Sequence, residues 1–536
     1  MLWKQHGLPP LWWHKALELP LALYFYHLFR VFLHRHRYRA FLAAVPVVMV
    51  YLLLDVYFML VGRVFRLSEF GELPELLDIL PWLVSAAIAL VVLAPLVWVF
   101  RHLRWPSGLS GWIALLPLTL LILLVAFRPT WFLRGFTSVA HNAVVWSDYE
   151  SVKINGRIAM LLYQAAKREE ALQSVSRYRD EADYKASFEK TLKQLGAGSN
   201  THRNVHLLLL EGFVDPGRFK SIHFNRDPVH PDFRKLLVNG VGNLSQSPVY
   251  GGYTAQAEFE ILCGVPALQQ FGTIEFNNFS GGPVYCMPNI LAQLGYHTMA
   301  TQGFKPSFFN SRAALKGIGF QEVYYPHEYA PADNTYVSTG DVETEQYLFD
   351  EKLLQQNLAF VRERLQKGEK PLLNYVLTIY GHIPFVMDEK LRPRVISVDD
   401  TQEISADLLT VANQVYYRSK AIADYIKGLI QIDPDAIIVM LADHLPPMPG
   451  GIGEYEKAGY LTGVDNGRKH TLLAVFDRGQ PLDIKGMHHY DVPALIYRLL
   501  TGNHYCETDD CKSRSKERLQ REYRRIMAHA VEETGE

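Results

Sequence analysis

The chain has 536 residues, which is long enough for two or three domains. Its 54 basic and 55 acidic residues nearly cancel, so the composition gives no basic face of the kind that nucleic acid requires. Long apolar runs are confined to the first quarter of the chain, which sets this part off from the rest.

Three apolar stretches in the first quarter have the length of membrane-spanning helices. They are residues 41–62, 80–100 and 111–127. About 20 apolar residues in a helix cross roughly 30 Å of hydrocarbon. Asp55, in the first stretch, is interpreted as facing other helices or water, with a functional carboxylate as the alternative. The aromatic segment at about residues 17–33 predicts a helix in the membrane interface, or else a fourth span.

Basic residues set the expected orientation of these helices. HRHRYR (34–39) precedes the first stretch and RHLRW (101–105) follows the second, whereas the loop between the two stretches is acidic. The positive-inside rule then places both basic segments in the cytoplasm and everything after Phe127 outside. We therefore predict a multi-pass membrane domain over residues 1–147.

The remainder of the chain divides into a linker and a soluble domain. Residues 148–200 are rich in charge, show helical spacing of apolar positions and end in GAGSN, which predicts an amphipathic helical linker without chemistry. From residue 201 to 536, short apolar runs alternate with helical stretches. This pattern predicts an α/β domain with a mixed, mostly parallel sheet flanked by helices.

Three predicted strands end in side chains that can bind a metal. Glu211 follows VHLLLL, His382 follows LLNYVLTIYG, and Asp443 and His444 follow AIIVMLA. Ligands bind outside the carboxyl ends of strands in open α/β sheets, so we expect these residues to meet. A single carboxylate after a strand would indicate only a polar cap, but this combination indicates a divalent metal site.

Thr254 is the candidate nucleophile. It follows Gly251 and Gly252 and precedes AQAEFEILCG, which has helical character. A glycine loop at a helix N-terminus favours an anion such as phosphate. The alternative is that Thr254 is a simple helix N-cap, and the two roles are compatible.

These motifs resemble, in the same order, those of lipoteichoic acid synthases and related phosphoglycerol transferases of the alkaline phosphatase/sulfatase superfamily. With the helical N-terminal part, the resemblance covers nearly the whole chain. It implies a sulfatase-like α/β catalytic domain in which Glu211, Thr254, Asp443 and His444 hold one divalent metal, Mn²⁺ or Mg²⁺ with Zn²⁺ as an alternative. It also implies that Thr254 is the nucleophile and that His382 binds phosphate or assists the leaving group.

The segment GFKPSFFNSRAALKGIGF resembles the aromatic–Asn–Arg segment of the same family. The resemblance makes Arg312 a phosphate or glycerol contact, and the alternative is a surface salt bridge. The segment departs from the family pattern, because Phe309 replaces the expected Trp and Ser311 separates Asn310 from Arg312.

The segment GMHHYDVPALIYRLL resembles a late superfamily motif in which a His can bind metal or substrate. His488 and His489 are therefore candidates for a second metal site or a substrate contact, and His489 is taken as the substrate-binding residue. Adjacent residues on an extended segment point in opposite directions, so at most one of the two faces the site. The alternative is a polar lip of the cleft.

The resemblance implies a reaction at the outer face of a bacterial inner membrane. The headgroup of a phospholipid donor, phosphatidylglycerol or phosphatidylethanolamine, would move through a phosphothreonine to a glycan or glycerophosphate acceptor of the envelope. The first alternative is a phosphoethanolamine transferase of the same fold, although four cysteines are few for such enzymes. A sulfatase would need a C/S-x-P-x-R motif, which does not surround Thr254. The last alternative is a non-catalytic membrane-bound binding or assembly module.

The four cysteines are interpreted as small buried apolar residues. They are Cys263, Cys286, Cys506 and Cys511. The last two enclose CETDDC, which could close as a disulfide in an oxidising compartment.

Overall fold

The architecture is that of a computed structural model. It describes residues 16–61, 65–67, 70, 82–106, 108–140, 148–174, 178, 181–196, 202–271, 274–331, 335–337, 342, 344–368, 371–399, 402–502, 505 and 515–531. The chain forms two compact units. The first comprises residues 1–175 with 269–273, and the second comprises residues 176–268 with 274–536.

The first unit is built from helices in the part of the chain that the structure describes. They are α1 (Glu18–Phe32), α2 (Arg39–Val61), α3 (Trp82–Ile88), α4 (Ala94–His102), α5 (Ser110–Phe127), α6 (Pro129–Val139), α7 (Asp148–Asn155) and α8 (Arg157–Ser174). A π-helical turn, Ala89–Leu93, joins α3 to α4.

Two helices of the first unit are long and apolar enough to cross a membrane, by length and composition. They cover Arg39–Phe58 and Ser110–Phe127. The apolar helix at the second predicted span, 80–100, is shorter among the described residues and covers Leu90–His102. Helices therefore lie over the predicted spans 41–62 and 111–127, and the insertion of all three stretches in a membrane stays a prediction.

A buried carboxylate ties α1 to α8. Glu18 accepts hydrogen bonds from the backbone N–H groups of Arg157 (2.8 Å), Ile158 (3.1 Å) and Ala159 (2.9 Å). A helix leaves its first N–H groups without internal partners, and Glu18 supplies them with one. Asp55 of α2 forms an ion pair with Arg157, so it faces other helices, as interpreted from the sequence.

The predicted linker is divided between the two units. Its first half forms α7 and α8, and the first turn of α8 is buried. The first compact unit therefore extends to residue 175, and the predicted end of the membrane domain at residue 147 stays a prediction. The second half forms α9 (Glu181–Gly196) in the second unit.

Ten strands in the described part of the second unit form one sheet. They are β1 (Val205–Leu210), β2 (Asn243–Gln246), β3 (His297–Gln302), β4 (Glu322–Pro326), β5 (Tyr336–Val337), β6 (Leu372–Leu377), β7 (Ile437–Ala442), β8 (His470–Asp477), β9 (Gln480–Pro481) and β10 (Met487–His488). Their order is β10-β2-β8-β7-β1-β6-β3-β4-β5, and β9 pairs with β8.

Most neighbouring strands are parallel. All pairs from β7 to β5 run parallel, as do β10 and β2, whereas β8 is antiparallel to β7, β2 and β9. The central strands β1, β6 and β7 are buried at every residue, which explains their nearly unbroken apolar sequences. The prediction of an α/β domain with a mixed, mostly parallel sheet is confirmed.

Helices flank this sheet. Besides α9, they are α10 (Pro231–Leu236), α11 (Thr254–Cys263), α12 (Met287–Gln293), α13 (Ser311–Gly317), α14 (Asp350–Gln366), α15 (Ala406–Ile432), α16 (Ile452–Lys457), α17 (Val492–Leu500) and α18 (Lys516–Ala530).

A disulfide joins the end of α11 to the residue before α12. Cys263 and Cys286 form this bond, so the interpretation of these two as unbonded apolar residues is wrong. The pairing could not be predicted from the sequence, because 23 positions separate the two cysteines and only the fold brings them together. Cys506 and Cys511 lie outside the described residues.

Candidate active site

The carboxyl ends of β1 and β7 bring three predicted metal ligands together. Leu210 pairs with Ala442 in the parallel register, so Glu211 and Asp443 are the next residues on adjacent strands. His444 follows Asp443 directly. One ligand atom from each of the three lies within 4.8 Å of the others, and all three side chains are buried.

Hydrogen bonds fix the orientation of Asp443 and His444. Asp443 Oδ1 accepts from the backbone N–H groups of Gly212 (2.8 Å) and His444 (2.6 Å). His444 Nδ1 donates to the carbonyl oxygen of Leu445 (2.9 Å), so Nε2 of the neutral ring has a lone pair. Asp443 Oδ2 and His444 Nε2 lie 3.2 Å apart. Both are buried, and neither has a hydrogen-bond partner among the described residues.

A bound cation would balance the negative charge of this cluster. Burial raises the pKa of the Glu211 carboxyl well above its ordinary value, and the neighbouring Asp443 carboxylate raises it further. A bound metal ion offsets both the desolvation and the repulsion of two buried carboxylates. Two carboxylates and an imidazole nitrogen suit Mn²⁺, Mg²⁺ or Zn²⁺. The orphaned atoms and the donor set therefore fit one divalent metal.

Thr254 begins α11 beside this cluster. Its Oγ1 donates a hydrogen bond to Glu211 Oε2 at 2.6 Å, and its side chain is buried. The preceding Gly251 and Gly252 have positive φ angles of 66° and 142°, and Tyr253 is left-handed at 66°. A left-handed non-glycine residue is strained, and such strain occurs at functional sites. This turn carries the chain into α11 with the hydroxyl against a metal-ligand candidate.

His382 is held as a neutral imidazole. Its Nδ1 lies 2.7 Å from the carbonyl oxygen of Ile383, and because a carbonyl only accepts, Nδ1 carries the proton. Burial, with a smaller contribution from the nearby His444, lowers the pKa of His382 to about 4, against the hydrogen bond to Ile383, which raises it. The imidazole therefore keeps an unprotonated Nε2 near pH 7.

Gly381 allows the His382 loop to approach the metal ligands. A Cβ atom at position 381 would collide with the carbonyl oxygens of Glu211 and Gly212. Only a residue without a side chain permits this approach.

A family model described as Sulfatase matches residues 203–504, which is more than half of the chain. The chain belongs to the sulfatase family. The matched range contains all the candidate site residues, from Glu211 to His489.

Three proteins illustrate the relationships of the chain. A candidate cyclic beta-1,2-glucan modification protein of Rhizobium meliloti (strain 1021) is 28% identical over 283 residues, which are 52% of this chain and 41% of that protein. The chain thus matches about two fifths of the length of this relative. The solved lipoteichoic acid synthase LtaP of Listeria monocytogenes has a TM-score of 0.46 and 16% identity, covering 58% of this chain and 78% of that chain.

The phosphoglycerol transferase GacH of Streptococcus pyogenes, solved with sn-glycerol-1-phosphate, has a TM-score of 0.47 and 18% identity. This match covers 67% of the present chain and 91% of GacH. At these levels, the likeness to LtaP and GacH concerns the fold alone.

Arg418 positions the Glu211 loop, and the sequence analysis missed it. The fully buried guanidinium on α15 donates to the carbonyl oxygens of Glu211 (2.8 Å) and Gly212 (3.0 Å). Its charge is balanced by the buried Asp350, whose Oδ2 lies 2.7 Å from Nε. Arg418 could have been suspected from the sequence, because it lies within the apolar stripe of a long helix. A charge at such a position is buried and needs a specific partner.

A small cavity of about 20 Å³, partly open to solvent, lies beside Thr254. We call it the Thr254 cavity. Its polar lining is Glu211, Thr254, Glu258, Gln302, Lys305, Ser311 and Thr378, and Phe304, Phe308 and Phe309 add aromatic walls. Glu258 and Lys305 were also missed, although Glu258 follows Thr254 by four positions and so shares its helix face.

Arg312 lies away from this cavity. Its side chain is exposed, and the guanidinium carbon lies 5.5 Å from the ring centroid of Tyr325. Ser311, its neighbour, is the residue that lines the cavity. Successive residues of a helix point about 100° apart, so a helix that turns Ser311 inward turns Arg312 outward. The role predicted for Arg312 stays a prediction.

His489 is buried at the end of β10 with both ring nitrogens engaged. Nε2 lies 3.0 Å from the carbonyl oxygen of Ala442, and Nδ1 lies 2.9 Å from Ser245 Oγ. Burial lowers the pKa of His489 to about 4, so the neutral ring donates through Nε2 and accepts through Nδ1. His488 is half-buried and stacks on Tyr490. The structure thus gives His489 contacts that fasten β2 to the end of β7, and the substrate role remains a prediction.

Proposed function

We propose that the chain is a membrane-anchored, metal-dependent phosphotransferase. It moves a phospholipid headgroup, phosphoglycerol in the first instance, through a phosphothreonine on Thr254 to a glycan or glycerophosphate acceptor. The observation that carries this proposal is the 2.6 Å contact between Thr254 Oγ1 and Glu211 Oε2, which places a hydroxyl nucleophile at the metal-ligand candidates. The segment YTAQAEF around Thr254 lacks the C/S-x-P-x-R motif of sulfatases, which favours phosphoryl over sulfuryl transfer.

Glu211, Thr254, Asp443 and His444 would hold one divalent cation, Mn²⁺ or Mg²⁺ with Zn²⁺ as the alternative. When bound, the cation stabilises negative charge on the phosphoryl oxygens and makes the hydroxyl of Thr254 easier to deprotonate. Arg418 keeps the carbonyl groups of the Glu211 loop in place, so the carboxylate does not have to reorganise during the reaction.

In the first step, Thr254 Oγ1 attacks the phosphorus of the donor. The proton of Thr254 faces Glu211 Oε2, which is its first acceptor. The bond from phosphorus to the diacylglycerol oxygen breaks, and diacylglycerol leaves as the alcohol after taking up this proton. The N–H groups at the N-terminus of α11 would face the phosphoryl group that reacts with Thr254. The helix dipole favours negative charge at this position.

In the second step, an acceptor hydroxyl attacks the phosphothreonine. The neutral His382 offers Nε2 as the base that takes the proton of this hydroxyl, since Nδ1 is already occupied by the carbonyl of Ile383. The bond from phosphorus to Thr254 Oγ1 breaks, and Thr254 takes up the proton that His382 accepted from the acceptor hydroxyl. Lys305, which lines the Thr254 cavity, supplies a cation for the phosphate, with Arg312 as the competing assignment.

The donor is phosphatidylglycerol or phosphatidylethanolamine. A phosphoethanolamine transferase is the second candidate, because the Glu258 carboxyl that lines the cavity could bind an ammonium group. The relative named for cyclic beta-1,2-glucan modification supports a glycan as the acceptor.

The location we propose is a bacterial inner membrane, with the second unit outside the cytoplasm. Two helices of sufficient length and apolarity support the anchor, and the Cys263–Cys286 disulfide is typical of oxidising compartments. Protease added to intact spheroplasts should therefore cleave the second unit, whereas protection until the cells are lysed would contradict this location.

Release of diacylglycerol from lipid vesicles tests the activity. The purified full-length protein with Mn²⁺ should release diacylglycerol from phosphatidylglycerol or phosphatidylethanolamine. Thr254→Ala should lose at least about 10³-fold in rate, because the covalent route disappears. Thr254→Ser keeps a hydroxyl and is the matched control that should retain measurable activity.

Equal activity of Thr254→Ala and the wild type would exclude the covalent route. If neither lipid is cleaved and no metal co-purifies, the non-catalytic membrane module becomes the better account.

A further inference from the structure

Glu258 occupies a position that the phosphoryl chemistry leaves unexplained. It lies four residues after Thr254 on α11, and side chains at that spacing are neighbours, with about 5–6 Å between their Cβ atoms. Glu258 lines the Thr254 cavity together with Lys305 and Ser311, and its residue surface is 4% exposed. A buried carboxyl therefore stands one helical turn from the nucleophile.

One oxygen of this carboxyl is anchored to the sheet. Glu258 Oε1 accepts from the hydroxyl of Tyr375 on β6 (2.7 Å) and from Nε2 of Gln302 at the end of β3 (3.0 Å). None of the described residues donates to the other oxygen, Oε2. The side chain is thus held rigidly from one side, and its second oxygen is left without a protein donor.

The charge of Glu258 narrows what this oxygen can bind. Burial raises the pKa of the Glu258 carboxyl to about 7, so the side chain is a carboxylate above neutral pH. A carboxylate repels a phosphate, so placing one beside the phosphoryl site is useful only if a donor group of the ligand meets it. A carboxylate oxygen is an acceptor, and the groups that satisfy it are hydroxyl and ammonium groups. Glycerol and ethanolamine headgroups carry such a group two carbons from the phosphate oxygen.

We infer that Glu258 recognises the headgroup that is transferred to Thr254. Its Oε2 accepts a hydrogen bond from a hydroxyl or ammonium group in the glycerol or ethanolamine part of this headgroup. This inference rests on the proposed function. It assigns the chemical selectivity of the reaction to one residue that makes no bond to phosphorus. Headgroups that lack a hydrogen-bond donor, such as a methyl ester, gain nothing from Glu258.

Substitution by glutamine distinguishes the two kinds of headgroup. In Glu258→Gln, the two donors from Tyr375 and Gln302 hold the amide oxygen in the place of Oε1, so the NH₂ group takes the place of Oε2. A hydroxyl can accept from this NH₂ group, but an ammonium group has no lone pair and is left unpaired. Glu258→Ala removes the contact for both.

The test measures ligand affinity by calorimetry on the full-length protein with Mn²⁺. The probes are glycerol 1-phosphate, O-phosphoethanolamine and methyl phosphate, which has no donor group. The wild type should bind at least one of the first two about 10- to 100-fold more tightly than methyl phosphate, as expected for a hydrogen bond to a charged group. Glu258→Ala should abolish this preference without lowering the affinity for methyl phosphate, which should stay the same or rise because a charge that repels the phosphate is removed.

Glu258→Gln then identifies the headgroup. A preference for glycerol 1-phosphate that survives this substitution indicates a hydroxyl, whereas loss of a preference for O-phosphoethanolamine indicates an ammonium group. Glu260→Gln is the matched control, because it makes the same change on the same helix outside the cavity lining, and it should alter neither affinity ratio.

Two results overturn the inference. One is a wild-type protein that binds methyl phosphate as tightly as the other two probes. The other is an equal loss of affinity for all three probes in Glu258→Ala, which would place the carboxyl on the phosphoryl group itself. If the proposed function itself is wrong, the calorimetry gives a different result, because none of the three probes would then bind at the Thr254 site.

Discussion

Asp443 Oδ2 and His444 Nε2 are buried acceptor atoms without a protein donor in the part of the chain that the structure describes. They lie 3.2 Å apart among the candidate metal ligands. An unpaired buried polar group costs about 1–3 kcal/mol, so a fold that keeps two of them this close together has a place for a ligand. The divalent metal of the proposed function would restore both contacts.

Lys305 and Arg312 compete for the role of phosphate cation, and paired substitutions separate them. Lys305→Ala should lower kcat/KM for diacylglycerol release by about 10- to 100-fold, because Lys305 lines the Thr254 cavity. Arg312→Ala should change it by less than about threefold, since the side chain is exposed. Steady-state kinetics on both variants decide the question, and the reverse order of effects would restore Arg312 as the phosphate contact.

Glu260 should make the stability of the protein depend on pH. Burial raises the pKa of this carboxyl from 4.5 to about 8, and Glu275 and Asp491 add to the rise, against Lys469. Because the folded state holds the proton to a higher pH than the unfolded chain, folding stability falls as pH rises from about 4.5 to 8. Each pKa unit corresponds to about 1.4 kcal/mol, so the loss reaches a few kcal/mol.

Glu260→Gln tests this expectation. The amide oxygen can still accept from the backbone N–H of Ala267, as Glu260 Oε1 does at 2.9 Å, but it does not titrate. Thermal unfolding should therefore give similar melting temperatures for both proteins near pH 4.5 and a higher one for the variant near pH 8. A constant difference across this range would show that Glu260 has an ordinary pKa in the folded state.

At the scale of elements, unbroken apolar runs were enough to predict β1, β6 and β7, since strands buried on both faces need no alternation. The polar residues that end these runs then predicted Glu211, Asp443 and His444 as neighbours. Arg418 could not be predicted in this way, because its partners on the Glu211 loop lie more than 200 positions away. The Cys263–Cys286 bond depends likewise on a contact that only the tertiary fold creates.

The close approach of the β1 and β6 ends depends on Gly381. Gly381→Ala would drive its Cβ into the carbonyl oxygen of Glu211 and against Arg418. Because the obstacle is backbone, we expect a loss of stability of about 3 kcal/mol or more and weaker Mn²⁺ binding. Thermal unfolding and metal titration measure the two effects.

Gly453→Ala is the control for this substitution. A Cβ atom there meets nothing within 4 Å, and the residue lies in α16 without a positive φ angle. Alanine is the better helix former, so stability should be unchanged or slightly higher. If both alanine variants behaved alike, the approach of the two loops would not depend on a missing side chain.

At the scale of the whole molecule, the sequence separated an apolar helical part from an α/β part because their hydrophobic patterns differ in period and length. The charged composition of α8 did not indicate its buried first turn, which Glu18 and Asp55 hold in the first unit, and the limits of the membrane domain and the linker stay predictions. Under the proposed function, the apolar helical part keeps the α/β part at the membrane. A headgroup can then be removed without extracting the lipid from the bilayer.

A phosphothreonine at Thr254 would be detected in the mass of the protein after brief incubation with Mn²⁺ and either phosphatidylglycerol or phosphatidylethanolamine, followed by peptide mapping. We expect a phosphoglycerol or phosphoethanolamine adduct on the peptide containing Thr254, absent from Thr254→Ala, and the added mass identifies the donor. An adduct on another residue, or diacylglycerol release with no adduct at any time point, would contradict a phosphothreonine mechanism at this site.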